Sequence, residues 1–352
     1  MIDVEKLVQT AAQAGMSDIH LVYGIPPKGR LDGKLVDIIP EALTDNDCEA
    51  IAAKLAGPEY QKMAVRGEQD FALHLAGERV RINLFRQQGH VSAALRILAN
   101  KIPELGILGL PPVVNTFPTI QKGIILVTGE TGSGKSTTMA AILDRINHTR
   151  QDHIITLEDP IEYIYQPDQC VINQREIGND TESYSNGLRA ILREDPDVIL
   201  IGEMRDAETI ETALTAAQTG HLVLATLHTN SAPESVDRII GVFPAEKQPQ
   251  IRMDLSMTIQ SIISQQLLVR KGGKGGVLAC ECMVATNAIR NLIREGKTPQ
   301  MYSSMLSSAN VGSITMDNSL INLVVSGKIE PQTAVNACND KEYVMRKLGL
   351  IA

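Results

Sequence analysis

Apolar positions along the chain follow two contrasting rhythms. Through the first hundred residues they alternate with polar ones, as in Asp18-Ile19-His20-Leu21-Val22-Tyr23 and again over residues 78–86 and 91–98. Period two places such residues on one face of a half-buried strand. Residues 3–14 carry instead the spacing of a short amphipathic helix, and a second helix is predicted from about Thr44. Pro26, Pro27 and Gly29, then Asp32-Gly33 between short alternating runs, predict a hairpin. These elements amount to a small antiparallel sheet with helices packed on it, α+β in type.

The rhythm changes after residues 100–113, a proline- and glycine-rich stretch without periodicity that reads as an interdomain linker. Short β-branched runs at 124–127, 153–157, 198–201 and 222–225 then alternate with helical stretches at 137–147, 181–193 and 206–219. That succession predicts an α/β domain over 114–352, a mainly parallel sheet covered by helices, with any nucleotide at the carboxyl edge of its strands. Residues 1–99 form the smaller domain in this division, and the glycine-rich residues 271–276 a hairpin tip.

Composition narrows the possibilities. At 352 residues, with 43% apolar and 21% charged residues, the chain has the proportions of globular domains. It contains no apolar run long enough for a membrane span, and its first residues, MIDVEKLVQTAAQAG, are too polar for a signal peptide. A cytoplasmic location is expected. Five cysteines suit a reducing compartment, and Cys280 and Cys282, on one face of a strand, read as core thiols rather than zinc ligands. A net charge of -8 and 3% aromatics argue against a nucleic-acid motor, which needs basic grooves and stacking rings.

The chemistry is concentrated in one motif. Gly129-Glu130-Thr131-Gly132-Ser133-Gly134-Lys135-Ser136, with Thr137 opening the helical stretch, satisfies G-x-x-x-x-G-K-[ST] between a strand and a helix. Its glycines let amides turn inward around β- and γ-phosphates at a helix amino end, Lys135 adds a positive charge, and Ser136 offers its hydroxyl to Mg²⁺. ATP and Mg²⁺ are therefore the expected ligands.

Acids at neighbouring strand ends bear on cleavage. The apolar run 197–201 delivers Glu203, placed to orient or deprotonate water, while Gly202 stands where a Walker B strand usually has aspartate. A nucleotide-gated regulator without turnover has no need of that carboxylate. The run 153–157 ends in Glu158-Asp159-Pro160-Ile161-Glu162. Glu158 and Asp159 can hold the metal's waters, or Asp159 caps the turn before Pro160. His228, past the run 222–227, stands at the same edge as a sensor of the γ-phosphate, whereas His221 at the entering end is either functional or a core histidine. In the smaller domain, alternation turns Val80, Ile82 and Leu84 inward and Arg79, Arg81 and Asn83 outward; Val91, Ala93, Leu95 and Ile97 face in, and Ser92, Ala94 and Arg96 face out. Arg79, Arg81 and Arg96 then share a surface, either a complement to a phosphate or a solvated basic face.

With the phosphate loop, GEMRD at 202–206 and TLHTN at 226–230 in hand, the sequence resembles the secretion ATPases of type IV pili and type II secretion. Residues 288–295, AIRNLIRE, are identical to the stretch that marks the pilus-retraction branch; Ile289, Leu292 and Ile293 share one helical face, leaving Arg290, Arg294 and Glu295 for a partner. The resemblance implies a PAS-like domain before a RecA-like ATPase domain and a homohexamer. It also implies docking on an inner-membrane pilus platform protein at the inner face of the inner membrane, acting on pilin indirectly, with no integral membrane segment and no nucleic acid. It makes Glu158, Asp159, Glu203 and His228 catalytic and suggests Arg81 and Arg96 as arginine fingers. Two departures stand out: Glu130 in place of a proline, and Gly89-His90 where the family has Arg-Gly. A four-cysteine zinc site, which marks the extension ATPases, is missing, and this favours retraction.

Overall fold

Capping residues set where the first helices begin. In the computed structural model, which describes residues 2–31, 33–98, 101–273 and 275–351, the Asp3 carboxylate accepts from the Glu5 amide and starts the helix Val4–Gln13. Thr44 and Asp47 form a reciprocal capping box ahead of Asp45–Ala56. The chain divides into two compact units, Met1–Lys101 with Pro160–Ile164, and Ile102–Asp159 with Tyr165–Ala352.

Among the described residues the first unit is built on a six-stranded sheet: β1 (Asp18–Leu21), β2 (Lys28–Leu31), β3 (Lys34–Asp37), β4 (Glu68–Leu75), β5 (Glu78–Gln87) and β6 (His90–Ile97). Their order is β3-β2-β1-β6-β5-β4, with every neighbour antiparallel. The β2–β3 hairpin pairs Leu31 with Lys34; Asp32 of its Asp-Gly signal lies outside the described residues. Leu7, Val8 and Ala11 of the first helix, Ile51 and Leu55 of the second, and Val80, Ile82, Leu84 and Leu95 of the sheet make one core. Two expectations are corrected. β1 ends at Leu21 rather than Tyr23, and Ser92, expected outward, is buried directly opposite Phe85 in the sheet. The residues Pro160–Ile164 attach here through Arg79, whose Nε donates to the Ile161 carbonyl at 3.1 Å.

The second unit carries a seven-stranded sheet of β7 (Gly123–Gly129), β8 (His153–Glu158), β9 (Val171–Glu176), β10 (Val198–Ile201), β11 (Leu222–Leu227), β12 (Ile259–Val269) and β13 (Gly276–Val284). The order is β13-β12-β7-β11-β10-β8-β9, parallel throughout except for the β12–β13 hairpin, whose tip includes the undescribed Lys274. Every residue of β7, β10 and β11 is buried, the burial expected of parallel strands covered on both faces. Ile155, Ile199, Ile201 and Val223 pack with Leu188, Ile210, Leu214 and Ile239 from helices. A second cluster joins Val277 and Ala279 of β13 to Met316, Leu320, Ala334 and Val344 of the C-terminal helices. Cys280 and Cys282 are buried in β13.

Residues 288–295 lie in and just past the helix Asn287–Arg294, with Ile289 and Ile293 fully buried and Arg294 exposed. Arg290 is not on offer to a partner as expected. Its guanidinium donates to the Ser256 and Met257 carbonyls at 2.9 and 3.1 Å and to Gln260 Oε1, supplying donors that the carboxyl end of the helix Gln248–Thr258 lacks. Among the described residues no helix is long and apolar enough to cross a membrane.

Candidate nucleotide site

The phosphate loop leaves the end of β7 and runs into the helix Lys135–Thr149. Gly129 and Gly134 take φ of 142° and 90°, a region that disfavours side chains. Space is limiting at Gly129 as well: a Cβ there would come within 2.6 Å of Ser133 Oγ and closer still to the Gln265 carbonyl oxygen. Lys135 is buried, and its ammonium donates to the Gly129 and Glu130 carbonyls at 2.8 and 3.0 Å. Ser133 Oγ is buried with no hydrogen-bond partner among the described residues. Gln265 on β12 donates to Thr138 at 3.0 Å and presents its other, unpartnered amide oxygen.

Because β7, β11, β10 and β8 are consecutive neighbours and parallel, their carboxyl ends deliver the loop, His228, Glu203 and Glu158 along one edge. Glu203 accepts from Arg205 at 2.7 Å and lies 3.4 Å from His228 Nε2. Burial pushes its carboxyl up, but the hydrogen bond from Arg205 and the charges of His228 and Arg205 hold it below the ordinary value. It is therefore ionised at neutral pH, suited to orienting a water more than to taking its proton outright. Glu158 accepts from Thr156 at 2.6 Å and Gln174 at 3.2 Å, while Asp159 is exposed. His221 lies at the opposite end of β11 with Nδ1 2.8 Å from the Ala216 carbonyl, a structural role.

Tyr184, on the helix Tyr184–Ile191, reaches this edge with no local sequence signal to mark it. A Cβ at position 202 would lie 2.9 Å from Tyr184 Oη and 3.1 Å from the Leu157 carbonyl, so an aspartate at Gly202 would have to displace the phenol and crowd the end of β8. Burial, and then the charges of Asp159, Glu203 and Glu158, push the phenol well up, keeping it protonated. Thr226 Oγ1 in turn donates to the Gly202 carbonyl, tying the ends of β10 and β11 together. Gln265 and Arg205 also join the site beyond the residues expected from the motifs; Arg205 follows Glu203 within GEMRD, whereas nothing local marks Gln265.

These groups suit a nucleoside triphosphate and Mg²⁺. Ser133 Oγ has an unmet hydrogen bond, the loop glycines leave room for amide contacts, and the oxygens of Ser136, Glu158, Asp159 and Glu203 are the hard donors that Mg²⁺ and its waters prefer. A polar cleft of about 410 Å³ opens beside the loop tip, walled by Glu130 to Ser133, Asn230, Gln265, Asn336 and Asn339. A larger cavity of about 560 Å³ beside Pro111 and Ile314 shares no lining residue with it. In the first unit, Arg81 and Arg96 are direct cross-strand neighbours as alternation predicts. Each is held by an aspartate: Arg81 by Asp70 at 2.6 Å and Arg96 by Asp18 at 2.9 Å.

Residues 2–277 match the family described as Type II/IV secretion system protein. The chain is 44% identical to the type IV pilus retraction ATPase PilT of Pseudomonas aeruginosa over 95% of its own length and 97% of that protein's. It is 36% identical to the type IV pilus ATPase PilU of the same organism, over 99% of its length and 92% of that protein's. A crystal structure of the pilus retraction motor PilT with bound ADP superposes with a TM-score of 0.91 at 45% identity, covering 98% of this chain and all of the other.

Proposed function

The chain belongs to the type II/IV secretion system protein family, and we propose that it is a pilus-retraction motor that hydrolyses ATP with Mg²⁺ to withdraw pilus subunits. Gly129 to Thr137 cradle the phosphates, with Lys135 countering their charge and Ser136 in reach of the metal. Bound Mg²⁺ offsets charge on the β- and γ-phosphates. Glu203, ionised and restrained by Arg205 and His228, orients the attacking water, and His228 registers the γ-phosphate. Glu158 and Asp159 hold waters of the metal shell. Arg81 and Arg96 supply further positive charge to the phosphates, exchanging their aspartates for it.

The chain works in this reading as a homohexamer at the inner face of the inner membrane, docked on the platform protein and moving pilin through it. The observation that carries the reading is the restrained Glu203 carboxylate on the same sheet edge as the phosphate loop, within a chain so close to a retraction ATPase along its whole length. Replacing the chromosomal gene by Lys135→Ala in piliated cells tests it. Loss of twitching with surface pili retained or increased is expected. Loss of surface pili would show an assembly motor instead, and ATPase activity stimulated by DNA would show a nucleic-acid motor.

A further inference from the structure

Glu281 on β13 is a completely buried acid outside the nucleotide site. Its Oε1 accepts the Ala232 amide at 2.7 Å, and its Oε2 the Met316 amide at 3.3 Å. Ala232 opens the helix Ala232–Gly241, and Met316 opens Met316–Val325. One carboxylate thus serves the amino ends of two helices, where unpaired amides and the helix dipole favour negative charge.

Both helices lead to the cleft at the phosphate-loop tip. Immediately before Ala232 stand residues 228–231, braced onto its helix: the Asn230 amide donates to Glu234 at 2.8 Å, and Thr229 and Ser235 hydroxyls are 2.7 Å apart. On the other side, Asp317 follows Met316 and accepts from Tyr302 Oη at 2.6 Å and from the Asn339 and Asp340 amides at 2.7 and 3.2 Å. Asn230 and Asn339 both line the cleft with Glu130 to Ser133. We propose that Glu281 is a positioning residue for ATP hydrolysis: by holding both helix starts it fixes residues 228–231 beside the phosphate loop and couples them to the C-terminal helices.

Burial pushes the Glu281 carboxyl up to about 7, the Ala232 and Met316 amides oppose the rise, and Asp317 adds to it. Tyr302, Cys280 and Cys282 are the other titratable groups around it, all with raised values and neutral near pH 7. The folded chain binds this proton more tightly than the unfolded one, so stability falls as pH rises from the ordinary value of 4.5 towards 7. A glutamine of the same shape escapes that cost but has one acceptor oxygen and a donating NH2 group, so it leaves either the Ala232 or the Met316 amide without its acceptor and releases one of the two helix starts.

The inference rests on the ATPase reading, and the test keeps the two apart. Purified Glu281→Gln is compared with wild type in unfolding temperature from pH 5 to 8, ATP affinity by calorimetry, and kcat and KM, alone and combined with His228→Ala. We expect a flatter pH dependence of unfolding, ATP affinity within about threefold, and kcat lowered about tenfold or more. In the His228→Ala background the same substitution should cost under about twofold, since the effect runs through that loop. A kcat within about twofold of wild type, or the same fractional loss in both backgrounds, overturns the inference. Should Glu281→Gln fail to fold, Glu281→Asp decides: it keeps the charge but is too short to reach both amides, and wild-type turnover in it would refute the role. An inactive wild type speaks against the ATPase reading instead.

Discussion

The two sheets put their polar chemistry in different places. In the seven-stranded sheet β7, β10 and β11 are buried from end to end, so a functional side chain can emerge only past a strand's last residue. Glu203, His228 and the phosphate loop that follows Gly129 all stand beyond such ends. In the six-stranded sheet burial alternates along β5, and Arg79, Arg81 and Asn83 project from mid-strand between the buried Val80, Ile82 and Leu84. Covering a sheet on both faces confines chemistry to an edge, and covering one face leaves the other free to carry a row of charges.

Breaking the edge should have the largest effect. Lys135→Ala removes a buried ammonium from the phosphate loop and is expected to cost about 2 to 5 kcal/mol of ATP binding; calorimetry showing affinity within threefold of wild type would be evidence against the loop as the phosphate site. The contrast in burial predicts unequal tolerance. Leu224→Ala, in the middle of β11, should destabilise the second unit by about 2 to 5 kcal/mol, whereas Asn83→Ala on the outward side of β5 should stay within about 0.5 kcal/mol. Denaturant titrations of the two variants compare them, and equal losses would erase the distinction.

The charged face of the first sheet sharpens the comparison further. Arg81→Ala and Arg96→Ala, checked for intact assembly and ATP binding, should each slow turnover about tenfold or more, the low end of what arginine fingers contribute. Losses under about threefold, less than 1 kcal/mol of barrier, would leave these side chains as surface partners of Asp70 and Asp18.

What could be read from the sequence followed the same division. The phosphate loop, Glu203 and His228 were legible because a parallel strand's apolar run ends abruptly and the next polar residues are the edge. Arg81 and Arg96 were legible as a shared face because period two survives in an antiparallel strand. β4 carries a weaker signal: in Glu68–Leu75 several apolar residues are only half-buried and the alternation is blurred. β9, at the sheet's edge, is largely polar and has no apolar run to mark it. Tyr184, Gln265 and Glu281 come from other elements, and their places depend on how helices and strands pack, which no local pattern encodes. Glu281 did leave one trace, a lone acid between Cys280 and Cys282 in an otherwise apolar strand.

ATP binding and turnover measured side by side in Glu203→Gln test most directly whether the edge divides phosphate binding from water activation. The substitution leaves Gly129 to Thr137 untouched and removes only the carboxylate's charge. ATP affinity within about threefold of wild type, with kcat lowered by about 10² to 10⁴, is the expected result. Turnover at the wild-type rate would contradict the assignment of Glu203 and, with it, the edge as the place where hydrolysis is controlled.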